Sequence, residues 1–165
     1  MKVDNIEKLF VNELKDIYSA EKQITHALPK MAKAATAEEL RTAFETHVKE
    51  TQGQIQRLDR VFEILGKGGT GKTCQAMKGL LEEGSETMAE TTEGEVRDAA
   101  MIAAAQRVEH YEIAAYGTVR SMADLLGQKE IAQLLQETLN EEGETDKKLT
   151  QIAVKVNRQA HRQAA

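Results

Sequence analysis

Tryptophan is absent from this sequence, proline and cysteine occur once each, and aromatic residues make up 4% of it. Each scarcity excludes something. Cys74 alone cannot form an intrachain disulfide, which fits a reducing compartment. With so few aromatics, the core must be Leu, Ile, Val, Ala and Met, a composition that suits packed helices better than a sheet. No run of about twenty apolar residues exists to span a bilayer. The opening segment, with Lys2, Asp4, Glu7 and Lys8, lacks the apolar stretch of a signal peptide, so the expected location is the cytoplasm. Positive charge is also short, with 22 Lys and Arg against 27 Asp and Glu and a net charge of −5. Nucleic acid needs clustered basic residues, and none is expected as a partner. The one basic run, Arg158 to Arg162, reads as a frayed helix end from about residue 158.

What is present is helical period. The 165 residues fit one domain. Apolar steps of three, four and seven at Ile6, Phe10, Leu14, Ile17, Ile24, Leu28 and Met31 predict a helix over about Asp4 to Ala35, with Pro29 kinking its last turn. Thr36, Ala37, Glu38 and Glu39 read as a capping box that starts a second helix. Its stripe is Leu40, Phe44, His47, Thr51, Ile55, Leu58, Phe62 and Leu65. A crossover over about residues 66–94 follows, with a short helix near Thr73 to Ala89 that Gly79 and Gly84 weaken. Two more long helices are expected over about Glu95 to Leu126 and Gln128 to Asn157, punctuated by Gly127. The expected fold class is all-α: two antiparallel helical hairpins joined by one long crossover, the wiring of a ferritin-like four-helix bundle.

Gly66 to Thr73 matches the G-x-x-x-x-G-K-[ST] phosphate loop letter for letter. That loop works only when a buried strand precedes it and aims its amides at phosphate. Here the preceding residues, Leu58 to Leu65, continue a helical stripe, so the segment reads as a glycine-rich connector and no nucleotide is expected.

The informative residues are acids on apolar faces. At about 100° per residue, Glu21 points with Leu14, Ile17, Ile24 and Leu28, and Glu109 shares a face with Ile102, Ala105, Ile113 and Tyr116. Glu112 sits about 60° to one side, while Glu142 and Asp146 fall within about 20° of Leu135. Glu50 flanks the second stripe near His47, Gln54 and Leu58. Buried carboxylates must be protonated, paired or metal-bound. Lys and Arg are nearly absent from these faces, and a divalent metal satisfies all the acids together. The expected ligands are Glu21, Glu50, Glu109 and Glu142, with His47, Gln54, Glu112 and Asp146 as a second tier. His110 is expected at the surface or in a dimer contact, and His26 and His161 in solvent; Tyr18 and Tyr116 read as packing residues within reach of carboxylates.

Four stretches carry a family resemblance: Asp16 to Gln23, His47 to Thr51, Val96 to Ala100, and Val108 to Ala114 with Tyr116 to Thr118. On these the chain resembles the YciF family of bacterial ferritin-like stress-response proteins. The resemblance implies a cytoplasmic helical-bundle homodimer related to rubrerythrin-type di-iron proteins. Such sites usually carry Glu-x-x-His on two helices, whereas Gly53 and Thr145 stand where the histidines belong. Gln54, Asp146, Glu112 or His47 would then complete a more oxygen-rich site, with iron the first candidate and manganese or magnesium next. The chemistry expected is Fe(II) oxidation or peroxide removal; the rival reading is a non-catalytic dimeric scaffold with an empty ancestral site. Met77, Leu80 and Leu81 on the short helix are candidate dimer contacts.

Overall fold

The computed structural model describes residues 2–163, which form five helices and no strand. They are α1 (Ile6–Ala34), α2 (Glu38–Leu65), α3 (Gln75–Glu90), α4 (Glu95–Leu125) and α5 (Lys129–Gln163). α1 begins where Asn5 accepts a hydrogen bond from the Lys8 amide at 2.8 Å, which satisfies one of the four orphan donors of a helix start. Pro29 lies inside α1 without ending it. α5 continues through the basic run to Gln163, beyond the expected Asn157.

The expected capping box does not form. Ala37 is the residue before α2, and no side chain of its own segment caps it. The acceptor comes instead from α4: the Asp98 carboxylate takes the Thr36 amide at 2.9 Å and the Ala37 amide at 2.7 Å. Asp98 is fully buried, so a local hydroxyl cap has been replaced by a tertiary one that ties the α1–α2 turn to α4.

Two apolar clusters fill the interior. One holds Ile24 and Leu28 of α1, Leu40 and Phe44 of α2, Met101 and Ile102 of α4, and Leu149 and Ile152 of α5. The other holds Phe10 and Leu14, Leu58 and Val61, Tyr116 and Val119, and Ile131 and Leu135 from the same four helices. Along α1 and α5 the second cluster comes first; along α2 and α4 the order is reversed. The packed pairs α1–α2, α2–α5, α4–α5 and α1–α4 are therefore all antiparallel. α3 lies outside this ring against α4 and α1, sinking Met77 completely into the first cluster. Met77 is thus a core residue and not an available dimer contact, whereas Leu80 and Leu81 are only partly buried.

The glycines of the phosphate-loop look-alike have structural reasons. Gly66 closes α2 at φ +60°, the left-handed cap that glycine adopts without strain. A Cβ on Gly69 would stand 2.8 Å from the Phe62 ring, so the loop docks on α2 there. Lys72 pairs with Asp16 at 3.1 Å. The loop runs between two helices, α2 and α3, where a phosphate loop would follow a strand.

Candidate metal centre

Between the two apolar clusters each long helix places polar side chains: Glu21 from α1, His47, Thr51 and Gln54 from α2, Glu109 and Glu112 from α4, and Thr138 and Glu142 from α5, all buried. One ligand atom each from His47, Glu109, Glu112 and Glu142 lie within 4.8 Å of one another, a set able to hold a metal ion. The His47 Nε2 is 3.3 Å from Glu109 and 3.9 Å from Glu142. Its Nδ1 is 3.2 Å from Glu50, which fixes the ring and leaves Nε2 facing inward.

The expected residues separate into three groups. Glu109 and Glu142 sit in the compact set, joined by His47 and Glu112 of the second tier. Glu21 is buried beside that set and accepts a hydrogen bond from Tyr116; Gln54 is buried too and donates to Glu142 and, at 3.2 Å, to Glu141. Glu50 is on the rim, with its side chain 37% exposed. Asp146 lies at the α4–α5 boundary, where Gln106 donates to it at 3.0 Å and His110 approaches at 3.2 Å. His110 is exposed, as are His26 and His161. Tyr18 turns away from the acids and donates to Asp59 at 2.8 Å. Asp98 escaped the sequence reading. Its signal was an acid in step with Met101, Ile102 and Ala105 on the buried face of α4.

Electrostatically the layer is unbalanced. Among the described residues no lysine or arginine pairs with Glu21, Glu109, Glu112 or Glu142. The Arg57 guanidinium is held by Glu141, with contacts of 2.7 and 2.5 Å. Glu21 and Glu112 come within hydrogen-bond reach of each other, as do Glu109 and Glu142. Two carboxylates have no proton to offer, so Glu21 Oε2, Glu109 Oε2, both Glu112 oxygens and Glu142 Oε2 have no donor, and His47 Nε2 faces Glu109 at 3.3 Å without an aligned hydrogen bond. An uncompensated buried ion costs several kcal/mol, and a domain's whole stability is about 5–15 kcal/mol. The layer must therefore hold either protons or a cation.

The acid–base properties follow. Burial pushes the Glu21 carboxyl up to about 7 although Tyr116 donates to it. Burial, then repulsion from neighbouring acids, raises Glu112 and Glu142 well above the carboxylate range. Burial alone would depress the His47 imidazolium; Glu109, Glu50 and Glu142 overcome it and hold His47 well above its ordinary value. Glu50 goes the other way, lowered chiefly by its hydrogen bond with His47.

An all-helical protein with a buried carboxylate–imidazole cluster is thus defined. The chain belongs to the family described as Domain of unknown function (DUF892), which matches residues 5–162. It is 50% identical to Protein YciF of Escherichia coli strain K12 over 166 residues, 99% of this chain and 100% of that protein. The crystal structure of the E. coli stress protein YciF superposes with a TM-score of 0.90 at 51% identity, covering 94% of this chain and 99% of that one. A ferritin-like, diiron-carboxylate protein of Bacillus anthracis strain Ames shares the fold, with a TM-score of 0.71 at 16% identity, covering 92% and 99% of the two chains.

Proposed function

We propose that the protein is a four-helix bundle whose polar layer holds one or two divalent metal ions. Glu109, Glu112, Glu142 and His47 would form the centre, Glu21 would join from α1, and Glu50 would close the rim. The observation that carries this reading is the set of fully buried carboxylate oxygens with no donor, gathered around one inward-facing imidazole nitrogen. Such atoms are the donors a cation needs. An oxygen-rich set with one imidazole suits iron first, then manganese or magnesium. Iron bound there would supply Fe(II) oxidation by dioxygen or peroxide. The chain's own part is to orient the donors: Tyr116 holds Glu21, Gln54 holds Glu142, and the two apolar clusters keep bulk water out. The likeness to the E. coli stress protein YciF supports a stress response as the setting, and a cytoplasmic homodimer is part of the same proposal.

The scaffold reading has one observation in its favour: facing carboxyls whose affinity for protons is raised can share a proton without any metal. Protein purified without chelator decides between the two. Metal content should be stoichiometric, and saturating Fe(II) or Mn(II) should raise the melting temperature, because at about 100 times Kd a ligand adds about 2.7 kcal/mol. Glu109→Ala should abolish both effects. An empty protein with no thermal shift at high metal would leave the scaffold.

A further inference from the structure

A cavity of about 90 Å³ opens between α2 and α5 and is lined by Thr46, His47, Glu50, Glu109, Thr145 and Lys148 among others. His47 and Glu109, each about 3% exposed, turn polar atoms into it that make no hydrogen bond, Nε2 and Oε2. Glu50, 37% exposed, stands at the outer end with one oxygen 3.2 Å from His47 Nδ1. An unbroken polar path thus leads from solvent through Glu50 and His47 to Glu109. The volume holds a few water molecules and falls well short of the roughly 300 Å³ at which organic-ligand pockets begin.

We infer that this cavity is the port through which a hydrated divalent cation reaches the buried cluster, with Glu50 taking the ion at the mouth. The inference rests on the metal reading above. Thr145, where Glu-x-x-His would place a histidine, is short enough to leave the port open, and its hydroxyl lies 3.5 Å from Glu50. Lys148 is exposed and close enough to act electrostatically on Glu50, so it places a positive charge beside the path of an incoming cation.

The test is the rate at which metal-free protein takes up Co(II), whose visible absorption reports coordination. Thr145→Trp fills the port and should slow uptake about tenfold or more with unchanged final stoichiometry, because the ion must then await a helix opening. Lys148→Glu, a surface change, should quicken uptake up to roughly tenfold at low ionic strength, and salt should erase the gain. The same charge change at Lys155, farther along α5, should leave the rate alone. Wild-type loading with Thr145→Trp at the wild-type rate, or with Lys148→Glu unaccelerated at low salt, overturns the port and leaves the metal centre standing. A wild-type protein that takes up no Co(II) removes both.

Discussion

At the scale of single residues, Glu112 is the most diagnostic. Both its oxygens are buried without a donor, and folding raises its affinity for protons. Because the fold raises that affinity, the acid opposes folding increasingly as pH climbs above the ordinary carboxylate value. Glu112→Gln should therefore raise the melting temperature of the metal-free protein at pH 7–8 by a shift that shrinks toward pH 5, and should abolish the metal-induced shift. Calorimetry at the two pH values checks it; a variant less stable than the parent at pH 8 would mean that Glu112 already has a partner. Helical angles alone set Glu112 to one side and Asp146 inward, and the structure places them the other way round. α4 packs against α1, α3 and α5, so more than a stripe of it is covered. On α5, a core-facing line drifts about 20° per heptad from an ideal 3.6-residue period, which carries Asp146 off the face set by Leu135.

At the scale of elements, the start of α2 depends on a residue 61 positions later, since Asp98 accepts from both Thr36 and Ala37. Asp98→Ala leaves two amides without an acceptor and should cost about 2 kcal/mol or more in urea unfolding. Thr36→Ala, which would break a capping box, should cost less than about 0.5 kcal/mol. Equal losses for the two variants would restore the local cap. The glycine-rich connector teaches the same lesson. Its letters match a phosphate loop, yet Gly66 is a helix cap and Gly69 makes room for Phe62. The residues before it already form a helix, and that context was legible from the stripe through Leu58, Phe62 and Leu65.

At the scale of the whole molecule, the polar layer should set the pH dependence of stability. Folding raises Glu21 to about 7 and also raises Glu112, Glu142 and His47. The native state then binds more protons than the unfolded chain above about pH 4.5, so unfolding free energy falls as pH rises through that window. Glu50, with its lowered affinity, contributes stability that is lost on acidification, an opposing effect weakened by its exposure. The metal-free protein should lose melting temperature from about pH 5 to about pH 8. With saturating Mn(II) the trend should reverse, because the ligands must shed protons to bind. A metal-free melting temperature that climbs across that range would show the acids to be ionised and compensated by something other than protons.

Helical period and glycine punctuation are local properties of the chain, so the helices, their approximate ends and the acids on apolar faces were legible before any packing. It also carried the family likeness, through Asp16 to Gln23 and Val108 to Ala114. Which acids meet depends on how the helices pack. The compact set unites His47, Glu109, Glu112 and Glu142 from α2, α4 and α5 and leaves Glu50 at the rim, an outcome fixed by how far each helix is covered by its neighbours. The buried cap at Asp98 was decided in the same way. A carboxylate shows its bearing in the helical wheel, but its partners belong to other helices, and their distances exist only once those helices have packed.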